Sequence, residues 1–215
     1  MKTISIFLLM AICSSLSYAQ FNTVSPNSRV YKLATEADTS NEISTSVDND
    51  SNNKREVCDV KDMKRQLILH YTSVSFPLKQ LHVNSPFGKR KDPFTGKNAQ
   101  HNGIDLFARS DDVYSIMQGK VIKSGVDKKS GIYVKMEYGD YTVSYCHLSK
   151  AVVKRGDIVN AGEIIGISGN TGTRSTGEHV HISIKYKSHY IDPTILFDFV
   201  RETQQECLQK LKELV

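Results

Sequence analysis

The spacing of apolar residues changes along the chain near residue 76. Between Glu56 and Tyr71 the apolar residues recur at the spacing of a helix, which predicts a helical lead-in over 56–75. From Phe76 to about Asp192 the period falls to two, in short runs separated by turns that contain glycine. These runs predict strands over 113–122, 132–137, 141–148, 164–168 and 179–186.

Short strands at regular spacing favour one antiparallel β domain over alternating strands and helices. We therefore expect an all-β core over 76–195, an antiparallel open sandwich or barrel-like domain with flanking N- and C-terminal helices. The C-terminal helix is predicted as an amphipathic segment over 196–215 that packs on the domain, with partner binding as the alternative. Its apolar positions are Val200, Cys207, Leu208, Leu211 and Val215.

Residues 1–19 have the pattern of a secretory signal peptide. An apolar run, Ile4–Ile12, follows Lys2 and precedes the small-residue cleavage pattern at Ser17-Tyr18-Ala19. The run has about half of the roughly 20 residues that span a bilayer, so we expect cleavage rather than a membrane anchor, and no transmembrane segment afterwards. The sequence therefore predicts an exported protein, in the periplasm, at the cell surface or outside the cell.

Residues 20–55 are rich in Ser, Thr, Asn and Asp. Such a segment cannot bury enough apolar surface to offset the entropy lost on ordering, so we expect a flexible tether. Over the whole chain, 39% hydrophobic and 24% charged residues are enough for a globular core. The formal net charge of +5 is modest and scattered, which suits loose attraction to an anionic wall and argues against nucleic-acid binding.

The cysteines leave more than one arrangement open. Cys13 would leave with the signal peptide, and acylation there is disfavoured because Ile12 stands where a small residue is usual. The three that remain cannot all pair within one chain. Cys58 with Cys207 is a conceivable disulfide, and Cys146, in an apolar strand pattern, is expected to be a buried free thiol. No close CxxC pair is present, so a thiolate zinc site is not expected.

Three segments carry histidines where a buried core would not favour them: His101-Asn102-Gly103-Ile104-Asp105, Tyr145-Cys146-His147-Leu148-Ser149 and Gly177-Glu178-His179-Val180-His181. Alternation along a strand places His179 and His181 on one face, with Val180, Ile182 and Ile184 in the core. If a strand begins at Ile104, His101 and Asp105 can converge as well, although Gly103 leaves the local geometry open.

This set of side chains suits a catalytic zinc ion, which takes three protein ligands and keeps one position for water. Two histidines and one aspartate meet that count. Catalysis also needs a general base and an oxyanion donor, and the remaining histidines, His179 and His147, fit those two tasks. Each segment alone has an ordinary structural interpretation, and their joint occurrence in one exported β domain is what favours the site.

The chain resembles the lysostaphin-like or LytM-type zinc endopeptidases, family twenty-three of the metallopeptidases. The resemblance covers about half of the chain. It rests on Ser85-Pro86-Phe87-Gly88-Lys89-Arg90, Asp92-Pro93-Phe94-Thr95-Gly96, the His101–Asp105 segment, Val159-Asn160-Ala161-Gly162-Glu163-Ile164-Ile165-Gly166, Ser168-Gly169-Asn170-Thr171-Gly172 and Ile191-Asp192-Pro193.

The resemblance implies Zn²⁺ held by His101, Asp105 and His181, with His147 and His179 as the catalytic pair. It implies hydrolysis of amide bonds in peptidoglycan stem peptides or cross-bridges. Two departures from the family bear on substrate preference. Glu178 precedes the HxH pattern at a position where the family often has a less acidic residue. Ser183 occupies a position where the family often has an acidic residue, commonly Glu.

Other polar residues have weaker claims to function. His70, His82 and His189, the last in a predicted turn, are expected to be structural or exposed. Arg90 either lines the groove and meets a substrate carboxylate or aligns a loop.

Two rival functions remain. One is a catalytically silent relative that binds the wall or activates another hydrolase, although all five site positions are occupied; the sequence names no regulatory partner. The other is a carrier domain of the lipoyl type, for which no convincing lysine stands at a hairpin tip.

Overall fold

The computed structural model describes residues 50–214. The predicted signal peptide and most of the predicted tether lie outside these residues. The described elements are α1 (Asp50–Tyr71), β1 (Val83–Ser85), β2 (Gly88–Lys91), β3 (Asn98–His101), β4 (Ile104–Phe107), β5 (Asp112–Tyr114), β6 (Gly119–Asp127), β7 (Gly131–Tyr138), β8 (Tyr141–Leu148), β9 (Lys150–Ala151), β10 (Ile158–Val159), β11 (Ile164–Ile167), β12 (His179–Tyr186), β13 (His189–Ile191) and α2 (Thr194–Glu213). Neither helix has the length and apolar character needed to cross a bilayer.

The strands form antiparallel sheets. The main sheet has the order β1-β4-β12-β8-β7-β6-β10, with β13 paired to β12, and two smaller sheets contain β5-β11-β9 and β2-β3. This arrangement, with one helix before the strands and one after them, confirms the predicted all-β core with flanking helices.

Most of the predicted strands are present, and one prediction was wrong. β8 and β12 have the predicted bounds, β7 is one residue longer at each end than predicted, and β11 is one residue shorter at its end. The run 113–122 is two strands, because the Ser115 hydroxyl donates to the Met117 carbonyl at 2.7 Å and the chain changes sheets there. β5 then pairs with β11 and β6 with β7.

Helix α1 is longer at its start and shorter at its end than the predicted lead-in. It begins at Asp50, among residues assigned to the tether, and ends at Tyr71. The Thr72 hydroxyl donates to the Ile68 carbonyl at 3.0 Å and the Ser73 hydroxyl to the His70 carbonyl at 2.7 Å, which satisfies carbonyls of the last turn. Residues from Lys64 onward form one compact unit.

Helix α2 buries a face that starts one turn earlier than the predicted one. Its buried residues are Leu196, Phe197, Phe199, Val200, Thr203 and Cys207. Leu208, predicted on the apolar face, is 45% exposed, so that assignment was wrong.

The two cysteines with described side chains are free thiols. Cys207 is unpaired and buried, so the structure contradicts a disulfide between Cys58 and Cys207. Cys146 is also free and buried, as predicted.

Candidate active site

The structure brings together His101, Asp105 and His181. His101 ends β3, Asp105 lies on β4, and His181 lies opposite Asp105 in the pairing of β4 with β12. His101 Nε2 lies 3.2 Å from Asp105 Oδ1 and 3.2 Å from His181 Nδ1, and His181 Nδ1 lies 2.7 Å from Asp105 Oδ1. Tetrahedral zinc with bonds of about 2.0–2.1 Å separates its ligand atoms by about 3.3 Å, so these spacings suit one shared ion.

Hydrogen bonding to His101 supports the same conclusion. His101 Nδ1 lies 2.8 Å from the Pro86 carbonyl oxygen, which can only accept, so Nδ1 carries the proton. In the neutral ring Nε2 then has a lone pair directed at Asp105 Oδ1, 3.2 Å away. Two lone pairs at that distance repel each other unless a cation lies between them. The donor set therefore fits a metal ion, with the Pro86 carbonyl fixing the His101 tautomer.

Gly103 explains how His181 reaches this position. A Cβ atom at Gly103 would lie 2.6 Å from His181 Cε1 and Nε2 and 2.5 Å from the Ile182 carbonyl oxygen. The His181 ring therefore packs directly on the backbone between His101 and Asp105. A residue that made the geometry uncertain in the sequence is the one that permits it.

Asp105 is held in its charged form. Burial opposes the charge, but the adjacent imidazoles of His101 and His181 outweigh it and hold the pKa of Asp105 well below its usual range. Its other oxygen, Oδ2, lies 3.5 Å from the Arg90 guanidinium, which also donates to the Ser85 hydroxyl at 2.6 Å. Arg90 lines the groove, and its guanidinium is directed at Asp105 and Ser85.

His147 owes its position to a β-bulge. The pairing of β7 with β8 passes from Ile132 opposite Leu148 to Val134 opposite Tyr145, so β8 carries one extra residue. His147 itself has φ of 62°, in the left-handed region. Bulges and left-handed residues without glycine concentrate at functional sites, where they redirect a side chain. Strand alternation in the sequence could not reveal this bulge.

His147 and His179 face each other with matching hydrogen bonds. Their ring centroids lie 4.8 Å apart. His147 Nδ1 donates to the Thr171 carbonyl at 2.8 Å, and His179 Nδ1 donates to the Gly177 carbonyl at 2.7 Å. In each neutral ring Nε2 therefore has a free lone pair, and that of His179 lies 3.7 Å from Asp105 Oδ1. Burial lowers the pKa of His147 to about 4, which keeps this ring neutral at pH 7.

A groove of about 440 Å³ contains His101, Asp105, His147 and His181 in its lining. The sequence did not predict one contact between two loops at this groove. Arg174 pairs with Asp92 and lies 4.6 Å from the centre of the Phe94 ring, which joins the loop before β12 to the β2–β3 turn. The two segments are far apart in sequence, and neither contains a pattern that indicates the partner.

The remaining histidines lie away from this cluster. His70, His82 and His189 are exposed, as predicted. His189 begins β13 rather than lying in a turn, because it pairs with Tyr186 of β12.

Comparisons with known proteins identify a peptidase domain in the same part of the chain. Residues 99–193 match the model of Peptidase family M23. The chain is 41% identical over 105 residues to the peptidoglycan DD-endopeptidase ShyA of Vibrio cholerae, an alignment of 47% of this chain and 24% of that protein. The chain thus spans about a quarter of ShyA.

Two solved structures share the fold. A zinc-containing peptidase from Vibrio cholerae has a TM-score of 0.51 and 36% identity, over 54% of this chain and 37% of that one. The catalytic domain of lysostaphin from Staphylococcus simulans has a TM-score of 0.50 and 31% identity, over 56% of this chain and 92% of that one. With the motifs, the fold and these matches in agreement, residues 99–193 of the chain belong to peptidase family M23.

Proposed function

We propose that the protein is a zinc-dependent endopeptidase that hydrolyses amide bonds in peptidoglycan stem peptides or cross-bridges. The observation that carries the proposal is the convergence of His101 Nε2, Asp105 and His181 Nδ1 next to two facing histidine rings. The relatives named for peptidoglycan endopeptidase activity supply the substrate class.

In this proposal His101, Asp105 and His181 hold the zinc ion. A bound zinc ion supplies Lewis-acid chemistry, since it polarises a carbonyl and lowers the pKa of water to about 7. Asp105 contributes the negative charge of the ligand set, and Arg90 holds its second oxygen away from the other ligands. The carbonyl of Pro86 fixes the orientation of His101.

His147 and His179 divide the remaining chemistry. The neutral state of His147 supports its role as acceptor of the proton from the attacking water. His179, across the cleft and next to Asp105, would donate a hydrogen bond from Nε2 to the developing oxyanion when both of its ring nitrogens carry a proton, because the Nδ1 proton is held by the Gly177 carbonyl. Both rings are held by backbone carbonyls, so they are oriented before substrate arrives.

The test is muropeptide release from purified cross-linked sacculi by the chain from Gln20 onward. We expect release of free amines that a chelator abolishes and added zinc restores. His179→Ala should lose this release while still binding one zinc ion per chain, because His179 is outside the proposed ligand set. The fragment masses would identify the bond that is cut.

No release from several wall types, with one zinc ion bound, would overturn the proposal. That outcome would favour the rival, a catalytically silent protein that binds the wall or activates another hydrolase. The presence of all five side chains in one cluster argues against this rival.

A further inference from the structure

A row of polar residues crosses the groove face of the main sheet beside the candidate metal ligands. Ser183 of β12 lies opposite Ser144 of β8, Ser144 lies opposite Lys135 of β7, and Lys135 lies opposite Lys123 of β6. Ser183, Ser144 and Lys135 all line the groove that contains His181. The row is therefore part of the floor of the groove.

The two lysines of this row are directly opposed. Both ammonium groups lie near the Tyr133 ring, at 5.6 Å for Lys123 and 5.5 Å for Lys135. Like charges directly opposite on neighbouring strands are destabilising. The nearby carboxylate of Asp127 instead accepts hydrogen bonds from the backbone of Lys129 and Ser130. The Tyr133 ring stabilises the Lys135 ammonium by a cation–π contact, which leaves its positive charge without a neutralising ion pair.

Three further cations line the groove, Arg90, Lys129 and Arg174, beside the carboxylate of Asp105. Arg90 faces Asp105, and Arg174 pairs with Asp92, so these two cations have partners. Lys129 and Lys135 form no ion pair with any carboxylate in the part of the chain that the structure describes. The groove thus offers two unpaired ammonium groups and two hydroxyl groups close to the site.

The side chain at position 183 affects the net charge of this part of the groove. An acidic side chain at this position would put a carboxylate on the floor of the groove, in the same row as Lys135. The hydroxyl of serine leaves the positive charge of Lys135 available and adds a hydrogen-bond donor.

Building on the proposed function, we propose that Lys135, Ser144 and Ser183 form a subsite for a substrate carboxylate, with Lys129 at its rim. Ser183 lies two residues beyond His181 on the same strand, a separation of about 7 Å. That distance places the carboxylate on the residue next to the scissile amide. The preferred substrate is then a wall peptide with a free carboxylate beside the cleaved bond, rather than an uncharged glycine bridge.

The test uses two synthetic peptides that differ in one group. One carries a free α-carboxylate on the residue next to the scissile amide, and the other carries the primary amide there. The zinc-loaded chain from Gln20 onward should cleave the free-carboxylate peptide with a kcat/KM about tenfold higher, mostly through KM, since a charge-assisted hydrogen bond is lost with the amide. A glycine-only bridge peptide should be cleaved no faster than the amide.

Two variants locate the effect. Lys135→Gln should bring the preference ratio from about ten to about one, and Ser183→Glu should bring it to one or below, because it places a carboxylate in the row. Lys154→Gln, the same change at an exposed loop position, should keep the ratio of the wild-type chain. Equal kcat/KM values for the two peptides in the wild-type chain would overturn the subsite.

Binding separates this proposal from the proposed function. Calorimetry of the same two peptides with zinc-loaded His179→Ala should show about tenfold tighter binding of the free carboxylate, and Lys135→Gln added to that chain should remove the difference. Preferential binding without cleavage in the wild-type chain would overturn the hydrolase and leave the subsite standing. Equal binding together with cleavage of both peptides would overturn the subsite alone.

Discussion

Strand β12 presents alternate residues to two different surroundings. Val180, Ile182 and Ile184 are buried in the core, with at most 1% of their surface exposed. His179 and His181 on the opposite face belong to the candidate site and make polar contacts. The core face of the main sheet follows the rules of packing, whereas its groove face includes two opposed lysines on β6 and β7, the bulge in β8 and the left-handed residue His147. The difference indicates that the groove face is arranged for chemistry at some expense of stability.

The largest expected effect comes from a change at the strained residue. His147→Asn should lower turnover of cross-linked sacculi by about 10²–10⁴-fold, because a general acid–base group is lost. Asparagine tolerates the left-handed region, so unfolding free energy measured in urea should change by less than about 1 kcal/mol.

The matched change on the core face is Ile182→Ala. It should lower the unfolding free energy by about 2–5 kcal/mol through lost burial and the cavity left behind. If His147→Asn destabilised the chain as much as Ile182→Ala, the contrast between the two faces would be wrong.

A second effect concerns the zinc affinity. Gly103→Ala places a Cβ against the His181 ring, so zinc affinity, measured by competition with a chromogenic chelator, should fall by about 10–100-fold. Gly125→Ala is the matched control, since its Cβ would meet Tyr133 at an ordinary contact of 3.7 Å. Equal affinities of the two variants would show that the His181 ring does not depend on the glycine.

The smallest effect is a dependence on pH at Cys146. Burial raises the pKa of Cys146 from 9.0 to about 12, so the folded state keeps a proton that the unfolded state releases above pH 9. This contribution to stability is present below pH 9 and is lost as the pH rises toward 12. Between pH 7.5 and pH 10 the chain should lose about 1.4 kcal/mol more unfolding free energy than Cys146→Ala does. Parallel pH profiles would show that Cys146 releases its proton equally in both states.

Strands with strict alternation could be predicted from the sequence. β8 and β12 were predicted because apolar residues such as Tyr141, Val143 and Tyr145, and Val180, Ile182 and Ile184, recur at every second position of the sequence. The β2–β3 hairpin was missed, since Gly88-Lys89-Arg90-Lys91 and Asn98-Ala99-Gln100-His101 carry no apolar alternation. The register of two polar strands is determined by the turn that connects them and by contacts between the strands, and not by an apolar pattern in either one.

The proposed site residues could be named from motifs, but not the contacts that place them. Asp105 and His181 meet because β4 and β12 pair in a particular register, which is a tertiary fact. The carbonyls of Pro86, Thr171 and Gly177 belong to the backbone, so no side-chain pattern indicates them. The contacts of Arg174 with Asp92 and Phe94 likewise depend on how two loops fold beside the groove.

The bulge in β8 makes chain length as important as side-chain identity. Cys146 and His147 both line the groove, and Leu148 returns to the core, because one residue is extra at this point. Deletion of Cys146 would leave every proposed ligand and both catalytic histidines in the sequence while restoring an ordinary ladder around His147. A relative with such a deletion would look intact by its motif residues alone, so spacing must be compared together with identity when activity is inferred across the family.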